Sequence, residues 1–155
     1  MEREKELLCR NVSKKIKKQI VKAMVWSVML YGSETWSLKT EERRRINAFE
    51  IWVWRRIEKI SWMDHVKNEE VLQRVGQKQE LLDMIIKRKK NWIGHVLRGE
   101  GLLKEVIEGR MFGKRGRGRP RIGMLDVLLE GNKFHRMKRR AEDRNEWRCW
   151  MPRTC

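Results

Sequence analysis

The stretch "KQELLDMIIKRKKNWIGHVLR", residues 78–98, sets Leu82, Ile85, Ile86, Lys89, Trp92, Ile93 and Val96 at steps of three and four. With about 3.6 residues per helical turn these positions draw one stripe, which predicts an amphipathic helix from about Lys78 to Arg98. Lys87 and Lys90 fall on its polar side. Lys89 interrupts the stripe, so its ammonium is expected to snorkel past apolar neighbours into solvent. Arg88 and Arg98 extend a basic surface along the same helix, and Gly94 offers a place of close approach for another helix.

The same periodicity continues outward. Val12, Ile16, Ile20, Met24 and Val28 recur every fourth position and predict a helix from about Ser13 to Leu30, broken by Tyr31, Gly32 and Ser33. A second helix is expected after Thr40, whose hydroxyl can cap free amides while Glu41 and Glu42 complement the helix dipole. Ile46, Phe49, Val53, Ile57 and Ile60 give this helix a buried face, which Trp52 and Trp54 widen. Asn68 opens a short helix with Val71, Leu72 and Val75, and Gly76 ends it. The expected core of the first 110 residues comprises Trp26, Phe49, Trp52, Ile57, Ile86, Trp92 and Ile93. Past Gly109 a weaker helical pattern resumes near Met124, and again in "FHRMKRRAEDRNEWRCW", residues 134–150, through Met137, Ala141, Trp147 and Trp150. With no sustained period-two alternation, the fold class expected is all-α.

Composition bounds the rest. In 155 residues, Lys and Arg number 38 against 21 acids, a net charge of +17. Such an excess favours polyanionic partners without choosing among DNA, RNA and acidic lipid. Eight tryptophans argue for a folded chain rather than a disordered basic tail. The apolar run "AMVWSVMLYG", residues 23–32, is about half of a bilayer span, and "MEREKELLCR", residues 1–10, lacks the apolar segment of a secretory signal. The reading is an intracellular protein with no membrane partner. Cys9, Cys149 and Cys155, odd in number and far apart, suit a reducing compartment.

Catalytic patterns are missing. The three cysteines and His65, His95 and His135 provide no closely spaced ligand pair, so neither a metal site nor a cofactor is expected in this chain. Paired carboxylates for two-metal phosphoryl transfer are absent as well, because Glu41, Glu42, Glu69 and Glu70 occupy helix-capping positions.

Binding chemistry is concentrated in "GKRGRGRPRIG", residues 113–123, where five cations and four glycines stand without an acid. Clustered arginines repel one another unless an anion lies against them, so the partner is expected to be external. The core "RGRP" resembles the AT-hook, an extended peptide of the A·T-rich minor groove. Gly118 lets the backbone approach the groove floor, Arg117 and Arg119 lie along it, and Pro120 keeps the exit extended. Lys114, Arg115 and Arg121 add phosphate contacts. A basic linker that touches any nucleic acid, or a nuclear import signal, is the plainer alternative.

The order of motifs is also familiar. "VWSVMLYGSETWSL" (25–38), "INAFEIWVWRRIEKISWMDHV" (46–66), "NEEVLQRVGQKQELLDMIIKRKKNWIGHVLRG" (68–99), "GLLKEVIEGRMFGKRGRGRPR" (101–121) and "AEDRNEWR" (141–148) resemble the C-terminal end of the reverse transcriptase of non-LTR, LINE-type retrotransposons. The resemblance runs from about Lys14 to Arg148. It implies a small thumb-like helical bundle with the C-terminal connection region over residues 1–110, a basic AT-hook-like linker over 111–123, and a short helical tail over 124–155.

The resemblance also implies a loss. The Tyr-Ala-Asp-Asp-type polymerase motif and the endonuclease domain of the family have no counterpart here, and the Mg2+ of the parent polymerase would have no site. The chain is then a piece of the element, from a truncated copy or a partial reading frame, and is expected not to polymerise by itself. Thumb helices grip the primer–template backbone, which implies phosphate contacts for Lys87, Arg88, Lys90 and Arg98. Partners would be DNA or RNA and the missing palm and fingers, in the nucleus. A free-standing AT-hook-like chromatin module and a decayed reading frame are the alternatives.

Overall fold

The computed structural model describes residues 12–109, 123–129 and 133–150, and every described element is helical. The segment of Lys114, Arg115, Arg117, Gly118, Arg119, Pro120 and Arg121 lies outside these residues. In chain order the elements are α1 (Lys14–Ile20), a π-helical segment (Val21–Val25), α2 (Trp26–Leu30), a 3-10 turn (Ser33–Thr35), α3 (Thr40–Glu58), a second 3-10 turn (Trp62–Asp64), α4 (Asn68–Val75), α5 (Leu81–Arg98), α6 (Leu102–Glu108), α7 (Asp126–Leu129), α8 (Phe134–Glu142) and α9 (Arg144–Cys149). No described helix is long and apolar enough to cross a membrane.

Two compact units emerge. One joins the described residues of Met1–Tyr31 to Thr40–Leu82, and the other joins Gly32–Lys39 to the described residues of Asp83–Cys155.

In the first unit the Ser13 hydroxyl accepts from the Ile16 amide and starts α1. The helix forms where expected but turns a different face inward. Ile16, Met24 and Val28 are exposed, whereas Lys17, Val21, Trp26 and Leu30 are buried. Steps of four overshoot a helical turn by about 40° each, so a strict fourfold series winds off any single face. The π segment then inserts one extra residue per turn, which brings Trp26 rather than Val25 into line with Val21.

Helix α3 packs against α1 and α4. It buries Ile46, Ile51, Val53, Trp54 and Ile57, and Trp54 meets Trp26 edge-on at 5.5 Å and 71°. Trp52 is different. Its ring is about half exposed, stacked on Phe49 at 6.0 Å with the Arg56 guanidinium 5.1 Å from its centroid. The expectation of Trp52 in the core is therefore corrected, and Phe49 sits at the margin: at about 100° per residue the buried arc runs from Val53 through Ile57 and Trp54 to Ile51, and Trp52 falls on the opposite side of the helix. Gly76 ends α4 in the left-handed conformation, φ 64°, as its position after Val75 predicts.

Buried Glu50 ties the middle of α3 to the start of α5. Its carboxylate accepts from the Glu80 amide at 3.0 and 3.2 Å and from the Leu81 amide at 3.1 Å, capping the start of α5 from another helix. Burial raises the Glu50 pKa, and the two amides oppose that rise.

In the second unit α7 and α9 pack on α8, and Met137, Ala141 and Trp147 are buried, as their spacing predicts. The Asp143 carboxylate caps α9 by accepting from the Asn145 and Glu146 amides at 2.7 and 3.1 Å. Trp92 is half-buried, while Ile86 and Ile93 are core residues. At Gly94 the Trp147 indole lies directly against the backbone, so that a Cβ built there would fall 2.2 Å from its Nε1.

Candidate nucleic-acid interface

Helix α5 carries every described residue expected to touch phosphate, and the structure separates them. Lys87 and Arg88 are exposed. The Arg88 guanidinium lies 3.6 Å from the Glu34 carboxylate, so this acid screens part of its charge. Arg98 is exposed too, but its Nη1 donates to the Ala141 carbonyl at 2.9 Å, near the C-terminal end of α8. That carbonyl end carries the negative pole of the helix, which suits an arginine.

Lys90 departs from its expected place on the polar side. It is 3 % exposed, and its ammonium donates to the carbonyl of Trp150 and to that of Arg148 at 3.2 Å. These carbonyls close α9, where backbone acceptors lack partners within the helix. The Trp150 ring lies 5.9 Å from the same ammonium. The signal was present in the sequence: Lys90 stands four residues after Ile86 and three before Ile93, in the same row. Burial lowers its pKa, and the charge of Lys87 lowers it further. An ammonium held inside in this way reaches no phosphate.

Lys89 does not snorkel. Its side chain is fully buried, and its ammonium donates to the Trp36 carbonyl and to the Met124 carbonyl at 3.3 Å. Because the unit surrounds α5 with the 32–39 segment and with α7 to α9, the buried arc is wider than a one-sided stripe allows, and both lysines fall within it.

Burial brings the Lys89 pKa down from 10.5 to about 8, against the opposing pull of Glu34. The group is charged in both states below about 8, where its burial cost is fully present. Between about 8 and 10.5 the folded chain has released a proton that the unfolded chain still holds, so stability from this group rises with pH. The stability difference between wild type and Lys89→Met is expected to shift in favour of wild type across that window. Urea midpoints of both proteins through the window measure it, and a flat difference rules the burial account out.

The basic surface is thus divided by depth. Inner lysines hold the backbone ends of neighbouring elements, and outer cations face solvent. No protein-family model, curated protein or solved structure matches this chain. Among the described residues no three His, Cys, Asp or Glu side chains gather where they could hold a metal ion.

Proposed function

We propose that this chain binds nucleic acid without catalysing a reaction, as the thumb-side, C-terminal piece of a non-LTR retrotransposon reverse transcriptase that contacts primer–template or target DNA through its backbone. One observation carries the binding. Even if each of the 21 acids paired with one Lys or Arg, 17 of the 38 cations would have no acidic counterpart within the chain. A phosphate backbone supplies that counterpart, and released counterions drive the association. On α5 the exposed Lys87 and Arg88 are the contacts assigned, with Arg98 at the edge. Lys90 is withdrawn from the set because its ammonium is buried. The order of sequence motifs carries the retrotransposon origin, and the all-helical architecture is compatible with a thumb.

The segment 113–123 favours a second reading, an AT-hook-like chromatin module, through its "RGRP" core. The two differ in measurable ways. Five cations on duplex phosphates make log K fall against log salt with a slope of roughly −4.5. Arg117→Ala with Arg119→Ala is expected to weaken binding to A·T-rich and G·C-rich duplexes alike if the segment is only an electrostatic tether. A loss concentrated on the A·T-rich duplex, with Lys114→Ala and Arg121→Ala weakening both equally, supports groove reading. Titrations at several salt concentrations decide between them, and no change from either double variant removes the segment from the binding surface.

A further inference from the structure

The loop between α3 and α4 holds the most exposed of the large hydrophobic side chains among the described residues. Trp62 is 89 % exposed, and Met63 beside it is 79 % exposed. An indole left in water forfeits its burial energy, so such a position calls for a partner.

The backbone here is held firmly. Ser61 and Asp64 form a capping box across the 3-10 turn: the Ser61 hydroxyl accepts from the Met63 amide at 3.3 Å, and the Asp64 carboxylate accepts from the Ser61 amide at 2.6 Å. Arg55 closes the base of the loop, donating to the Val66 carbonyl at 2.5 Å and to Asn68 Oδ1 at 3.1 Å. The non-glycine residues with positive φ among the described residues are Lys59 at 57° and His65 at 48°, and they bracket this turn. Lys59 is the left-handed residue that ends α3, its amide donating to the Arg56 carbonyl at 3.3 Å and the Ile60 amide to the Arg55 carbonyl at 3.0 Å, and His65 closes the 3-10 turn in the same conformation.

The surroundings select the partner. Arg56, Lys59, His65 and Lys67 are all exposed and lie within six residues of Trp62, whereas the acid of the turn, Asp64, is engaged by the Ser61 amide. A rigid aromatic plane among cations matches an unpaired base flanked by phosphates. Stacking supplies affinity without sequence preference, because every base has a π-face. We propose that Trp62 is a stacking platform for an unpaired nucleobase in single-stranded nucleic acid, with Lys59 and Lys67 beside the flanking phosphates. This inference rests on the nucleic-acid-binding reading and names the form of nucleic acid the first unit takes.

The test uses the full chain and three versions of residue 62: wild type, Trp62→Ala and Trp62→Phe. Affinity is measured for a single-stranded oligonucleotide and for a blunt duplex across a salt series. Trp62→Ala is expected to weaken single-strand binding roughly tenfold, with Trp62→Phe retaining most of the affinity. Duplex affinity and the salt slope should stay at wild-type values, since no charge is removed. Equal affinity of Trp62→Ala and wild type for the single strand overturns the proposal, as does an equal loss on both forms or a lowered thermal transition. If the turn instead governs binding to anionic phosphatidylserine vesicles and not to oligonucleotides, the partner is a lipid surface and the proposal fails. Wild type that binds neither oligonucleotide at low salt removes the broader reading as well, so the two failures are distinguishable.

Discussion

Trp54→Ala is expected to destabilise the first unit by about 3–5 kcal/mol, a large share of the roughly 5–15 kcal/mol typical of a folded domain. Trp54 has no solvent exposure and contacts Trp26 edge-on, so truncation removes buried area, leaves a cavity and costs an aromatic pair together. Trp52→Ala supplies the contrast. Its ring is half exposed and contacts only the margin of the core, through Phe49 and Arg56, so the loss should stay near 1 kcal/mol. Denaturant unfolding of both variants measures the difference. Comparable losses would mean that the buried face of α3 has been assigned to the wrong tryptophan.

Gly94→Ala is the second large effect, and its sign is the informative part. Alanine in an open helix interior stabilises by up to about 1 kcal/mol relative to glycine. At residue 94 the new methyl group would lie 2.2 Å from Trp147 Nε1 and 2.7 Å from Cε2, so the indole must move. Moving it strains the packing and threatens its hydrogen bond to the Lys90 carbonyl, 3.2 Å long. A net loss of about 2 kcal/mol is expected, within the range for overpacked cores. Adding Trp147→Leu to Gly94→Ala should recover part of it relative to Trp147→Leu alone, and a double-mutant cycle reads this as coupling. A stabilised Gly94→Ala protein would show that Trp147 does not pack there.

Local signals in this sequence were reliable where their partners are also local. Asn68 opens α4, and Gly76 stops it in the left-handed region. The apolar spacing of Met137, Ala141 and Trp147 likewise identified the buried side of the final helices. The candidate interface was legible in part. Lys87 and Arg88 face solvent as their polar neighbours imply, whereas the placement of Lys90 needed the three-and-four row with Ile86 and Ile93 to be weighed above its charge.

Trp62 gave no periodic signal at all. It lies between helices, where a tryptophan in sequence reads equally well as core or surface, and only the geometry of the turn between Lys59 and His65 shows it outward.

By itself the sequence determined the helical class, the helix stops and the charge excess, because each is read from composition or from residues within a turn or two of one another. Tertiary structure decided which charges are inside. Glu50 reaches amides 30 and 31 residues away, Lys89 a carbonyl 53 residues away and Lys90 one 60 residues away. A buried charge is tolerable only where backbone dipoles or hydrogen bonds compensate it, and those compensating groups carry no residue identity that a sequence could display. Tertiary structure also set the inward face of α1 and α2, where the π segment at Val21–Val25 shifts the helical phase and Trp26 packs against Trp54.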